Sequence, residues 1–81
     1  MEFDNPLEAL VYDVVSERIS SLVPEVDYEA RHLCSEIWDD PDLINKHKKI
    51  GRALSRLSRA RHLPLVKSGR TEANHSLYRL A

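Results

Sequence analysis

Between Asn45 and Leu63 the chain reads NKHKKIGRALSRLSRARHL, and this stretch constrains the fold more than any other. Ile50, Ala53, Leu54, Leu57 and Ala60 recur at the three- and four-residue steps of one helical face. At about 100° per residue, Lys48, Arg52 and Arg59 fall nearly opposite that face, with Lys49 and Arg56 on its flank beside Asn45. One helix thus carries an apolar stripe for a core and a cationic stripe for something outside. The spacing predicts a helix over about 45–61, with Asn45 as its N-cap because an amide oxygen can accept from the free N–H groups of the first turn. Lys46, Lys48 and Lys49 crowd that first turn, where positive charge opposes the helix macrodipole. Local stability does not account for them. A polyanionic partner does; the alternative is a solvated charged face.

The charge distribution sharpens this choice. The net charge is −1 over 81 residues, yet residues 1–44 hold twelve acids against two cations, and residues 45–81 hold ten cations against one acid. Such asymmetry between halves is a hint of nucleic-acid binding. The length predicts one domain with a small core. Cys34 is the only cysteine, so no intramolecular disulfide or cysteine-based zinc site can form, and its apolar helical face predicts a buried thiol. MEFDNPLEAL lacks the basic start and apolar run of a signal peptide, and no apolar run approaches the roughly 18 residues of a membrane span. The expected location is the cytoplasm, with no membrane partner.

The first helix is predicted over about 5–21. Asn5-Pro6-Leu7-Glu8 supplies a cap residue, a proline at the first helical position and an acid two residues later. Leu7, Leu10, Val11, Val14 and Val15 make a broad apolar face, continued by Ile19 and Leu22, and Phe3 is placed to pack onto the helix start. Pro24 ends the helix, because the residue before a proline disfavours helical backbone. A second helix is predicted over about 27–38, capped by Asp27, with Ala30, Leu33, Cys34 and Ile37 on one face and Trp38 closing the core. Asp39-Asp40-Pro41-Asp42 turns the chain, and Leu43 and Ile44 are expected to tuck under the third helix. The remainder, about 63–80, reads as a β-hairpin: Leu63–Val66, a polar tip Lys67–Asn74 carrying Lys67 and Arg70, and a return strand His75–Leu80. Pro64 puts the first strand at an edge or starts it just after the proline. The expected core is Leu10, Val14, Leu33, Ile37, Trp38, Ile50, Leu54 and Leu57.

Three helices followed by a hairpin with a basic tip resemble the winged helix–turn–helix DNA-binding family, an α+β fold, over nearly the whole chain. The third helix matches that family's recognition helix and Lys67–Asn74 its wing. Where the family often has a tight glycine turn before the recognition helix, this chain has the acidic Asp39–Asp42 turn. The resemblance implies sequence-specific binding of double-stranded DNA by a small transcriptional regulator, with helix 3 in the major groove and the hairpin tip on phosphates. The residues implied in DNA binding are Asn45, Lys46, His47, Lys48, Lys49, Arg52, Arg56, Arg59, Lys67 and Arg70. Independent of the resemblance, arginine and lysine suit the acceptors of base edges and phosphates. Of these residues, Arg56 and Arg59 have the alternative of pairing with the acidic half, and His47 that of an ordinary surface residue.

Enzymatic chemistry is not expected. The four histidines are scattered, none stands at metal-ligand spacing, and there is no glycine-rich phosphate loop. No cofactor and no metal is expected. Two further partner readings stay open. One is a protein-interaction module, or a nucleic-acid mimic, using Asp13, Glu17, Glu25, Glu29, Glu36 and Asp39–Asp42 of the acidic half. The other is a homodimer built on helix 1 through Val15, Ile19 and Leu22.

Overall fold

The computed structural model of the protein describes Phe3 and residues 5–81. These residues form an α+β fold of four α-helices and a three-stranded antiparallel sheet: α1 (Pro6–Arg18), β1 (Tyr28–Glu29), α2 (Ala30–Leu33), α3 (Ser35–Trp38), α4 (His47–Arg59), β2 (Leu65–Arg70) and β3 (Ser76–Leu80).

α1 starts as its sequence dictates. The Asn5 side-chain oxygen accepts from the Leu7 amide at 2.9 Å, and Pro6 occupies the first turn, where its missing N–H costs nothing. A 3-10 turn, Ile19–Ser21, ends the helix, with the Ser21 hydroxyl donating to the Arg18 carbonyl. The buried stripe is narrower than expected. Val11 and Val15 are fully buried, Leu7 and Val14 are half-buried, and Leu10 is 38 % exposed. α1 packs on α4 along one line and meets α2 beside it, so residues a quarter-turn away face water. Phe3 lies against Tyr12 and edge-on to His62, with ring centroids 5.2 and 5.6 Å away.

The predicted second helix is replaced by three pieces. Tyr28-Glu29 is extended and pairs with β3, in register Tyr28↔Tyr78 and Glu29↔Leu77. α2 and α3 follow as single turns, separated at Cys34, whose backbone leaves the helical region. Asp27 caps nothing; its carboxylate is taken by Ser68 and Arg79 of the hairpin. Glu29 is the cap of α2 instead, in a reciprocal box with His32. The apolar face survives the break, with Leu33, Cys34 and Ile37 all buried. Trp38 is half-buried rather than enclosed, at the end of α3. Arg18 reaches across from the end of α1 to Glu36 and Ser35 and ties the two segments together.

Leu43 is buried, but Ile44 is 52 % exposed, because the turn through Asp40 and Asp42 carries it outward. α4 begins at His47 with Lys46 in the cap position, and no side chain caps it, so Asn45 does not play that part. Its buried face holds Ile50, Ala53, Leu54 and Leu57, and also Ser55 and Ser58, side chains small enough for the sheet to close on the helix. The helix stops at Arg59. Arg61 adopts left-handed backbone (φ 62°), and the amides of Arg61 and His62 donate to the Ser58 and Leu57 carbonyls, which satisfies the last turn without a glycine.

β2 begins directly after Pro64, on an edge of the β1-β3-β2 sheet. Ser68 is extra between Lys67↔Tyr78 and Gly69↔Leu77, a bulge. The tip is therefore shorter than expected, about 71–75, and closed by Thr71 and Asn74. Lys67 and Arg70 lie in the strand and not in the tip. A two-stranded hairpin is marginal in water. Here β1 completes a third strand, and Leu63, Leu65 and Tyr78 enter the core shared by the helices. No helix among the described residues is long and apolar enough to cross a membrane.

Candidate nucleic-acid interface

α4 is held on two sides. α1 and β2 both pack on it, and Ala53, Ser55, Leu57 and Ser58 are all buried. The third side is open, and Lys48, Arg52 and Arg59 project from it within about 40° of one another. Lys46 and Lys49 are exposed beside them. Among the described residues, no carboxylate lies within 4.0 Å of any of these five cations. Asn45 is exposed and borders the same surface.

Arg56 behaves differently. Its Nε donates to Glu8 of α1 at 3.2 Å, so it serves the α1–α4 contact. His47 is half-buried. Its ring stacks on Trp38, and its Nε2 lies 2.7 Å from the Trp38 carbonyl oxygen, which requires the proton on that nitrogen. It is a fastener between α3 and α4.

A cavity of about 610 Å³ opens between α4, the β1–α2 junction and the hairpin. Lys48 and Arg52 form one wall, Lys67 reaches it from β2, and Arg31 from α2; Gly51, Ser55 and Tyr78 line it as well. Glu29 is the one carboxylate in the lining. Its two oxygens are occupied by His75 Nδ1 at 3.0 Å and by Arg31 at 3.1 Å. The His75 contact, opposed by lost hydration and helped by Arg31, holds the Glu29 carboxyl below the usual range. The net lining is therefore cationic. A second cavity of about 450 Å³ adjoins the first and shares His47, Lys48 and Arg52 with it, continuing past Ile44, Asn45 and Lys49.

Of the residues singled out in the sequence, the fold gathers Asn45, His47, Lys48, Lys49, Arg52 and Lys67 around this pair of cavities. Lys46 stands exposed at the head of the helix. Arg56, Arg59 and Arg70 lie outside both linings, and Arg70 donates to Asn74 across the tip. Sequence reasoning passed over Arg31, which sits in the acidic half and is carried to the cavity by β1; nothing local marks it. The acidic half is partly consumed inside the fold, since Glu8, Asp27, Glu29 and Glu36 are all paired with cations. The described residues contain no group of three or more acidic, histidine or cysteine side chains fit to hold a metal ion. Cys34 is fully buried, and burial, with a smaller push from Glu36, raises its thiol to about 12 against the effect of Arg18. The comparisons with protein-family models, curated proteins and solved structures found no match to the chain.

Proposed function

We propose that the chain is a winged helix–turn–helix domain that binds double-stranded DNA sequence-specifically, as a small transcriptional regulator of the cytoplasm. The observation that carries this reading is the open face of α4, where Lys48 and Arg52 stand exposed and unpaired among the described residues and share a cavity with Lys67 of the hairpin. Placed in a major groove, α4 presents Lys48 and Arg52 to base edges, as i, i+4 neighbours. Lys46, Lys49, Arg59, Lys67 and Arg70 meet phosphates, which sets register without reading sequence. The element order supports the same reading, and the pairing of β1 with β3 holds the hairpin beside α4 without relying on its own two strands. No cofactor takes part.

Of the residues considered for a helix 1 dimer, Val15 is fully buried, while Ile19 and Leu22 are half-buried against the core. Of the carboxylates that an acidic-half partner would use, Glu29 and Glu36 are already paired internally.

The test is selection of a preferred duplex from a random pool, followed by binding isotherms on that duplex and a scrambled one across a salt series. With roughly five phosphate contacts, log K should fall against log salt with a slope of about −4 to −5, and the selected duplex should bind more tightly at every salt. Absence of binding to any duplex at low salt overturns the reading.

A further inference from the structure

Gly51 stands in the first half of α4, where glycine is the poorest helix former after proline. Such a residue is ordinarily required by left-handed backbone or by a close neighbour. Neither holds here. Its backbone is helical, and a Cβ built on it meets nothing within 4 Å. What the missing side chain leaves open is the cavity, which Gly51 lines between Lys48 and Arg52 on its own helix and Lys67 and Arg31 opposite.

The geometry points to a ligand that approaches the bare Cα of Gly51. The lining makes that ligand an anion, because its single carboxylate is already satisfied by Arg31 and His75. Lys48 and Arg52 also line the second cavity, past Asn45 and Lys49, so the cationic surface continues beyond the first. Arg31 is suited to grip it. Its side chain is 58 % exposed, and among the described residues Glu29 engages only one nitrogen of the planar guanidinium. We infer that one phosphodiester backbone runs through this trough, over Gly51 and between Arg31 and Lys67. This rests on the DNA reading and adds Arg31 of α2 to the phosphate contacts already given to Lys67 of β2. Gly51 is then a clearance residue, retained against helix stability so that a backbone can lie close.

The experiment compares Gly51→Ala, Gly51→Gln, Arg31→Gln and Arg61→Asn with the wild type, by duplex-binding isotherms and thermal melts. Alanine and glutamine are both better helix formers than glycine, so neither Gly51 variant should melt lower than the wild type. Gly51→Ala should melt a few degrees higher and bind severalfold more weakly, and Gly51→Gln should bind about tenfold more weakly or worse. Arg31→Gln should weaken binding and lower the salt slope by about one, because one counterion fewer is released. Arg61→Asn removes the same charge at an exposed position outside the lining, in a left-handed conformation that asparagine tolerates, and should bind almost as the wild type does. Wild-type affinity in Gly51→Gln, or equal losses in Arg31→Gln and Arg61→Asn, overturns the trough and leaves the DNA reading standing. A titration with inorganic tripolyphosphate, followed by the Gly51 amide resonance, separates the remaining cases. If no duplex binds, the phosphodiester falls with the DNA reading, and a tripolyphosphate shift of that resonance in the wild type with no binding to Gly51→Gln leaves only a seat for a free phosphorylated ligand. If neither ligand binds, both fall.

Discussion

The imidazole of His47 lies flat on the indole of Trp38, with centroids 3.8 Å apart and planes 10° from parallel, while its Nε2 donates to the Trp38 carbonyl oxygen at 2.7 Å. One side chain at the start of α4 thus fastens the end of α3 in two ways, across the acidic connector Asp39–Lys46. His47→Ala should cost about 1–2 kcal/mol, the sum expected for an aromatic pair and a hydrogen bond. Trp38 is the only tryptophan, so urea melts followed by its fluorescence report directly. Unchanged emission and midpoint would show that the stack contributes nothing.

Arg52 and Arg56 are four residues apart on one helix, yet the fold gives them different work. Among the described residues Arg52 has no carboxylate partner, and Arg56 is paired with Glu8. Arg52→Ala should cost about 1–3 kcal/mol on the preferred duplex and flatten discrimination there. Arg56→Ala should leave DNA affinity nearly intact and cost about 0.2–1 kcal/mol of stability, as exposed ion pairs do. Both changes remove one positive charge, so a bulk electrostatic effect predicts equal losses of affinity. Isotherms on specific and scrambled duplexes distinguish the two outcomes.

Acid should loosen the hairpin from the rest of the molecule. The Ser68 hydroxyl, 2.6 Å from Asp27 Oδ1, holds that carboxyl below its usual range, against some lost hydration and with the Arg79 charge adding to the effect. Glu29 is lowered in the same sense, chiefly by His75. A carboxyl whose folded pKa lies below its unfolded value contributes fully above the unfolded value and loses that contribution as pH falls through the folded one. Melting temperature should therefore be level above pH about 5 and fall on acidification below about 4. Asp27→Asn should melt lower at neutral pH and show a shallower acid limb. A variant whose pH profile parallels the wild type would show that Asp27 carries none of the dependence.

Leu57 is fully buried on α4, in the core shared with α1 and the sheet. Leu57→Ala should cost about 2–5 kcal/mol, a large share of the stability available to so small a chain. Calorimetry or a urea melt measures it, and an unchanged midpoint would mean that the buried face of α4 has been assigned wrongly.

Local signals sufficed where structure is local. The cap at Asn5, the proline after it, the period of Ile50, Leu54 and Leu57, and the edge start after Pro64 all act over a few residues. They were legible because helices and caps are built from neighbours in sequence. The cations of the open face were legible for the same reason, since residues three and four apart share a side whatever surrounds them. Tyr28 and Glu29 were not legible. They followed a cap-like Asp27 and led into a helical apolar face, and only β3, about fifty residues later, makes them a strand. Ser55 and Ser58 lie outside the apolar period of the helix, yet both are buried in the fold. For Arg56 the sequence left open phosphate or the acidic half, and α1 decides between them by bringing Glu8 alongside. Arg31 looked like part of the acidic half until β1 turned it toward Lys67. Strand pairing, the wall opposite a helix and the partner of a charge are relations between distant residues. The sequence specifies the groups that enter them, and the tertiary fold selects which of those groups meet.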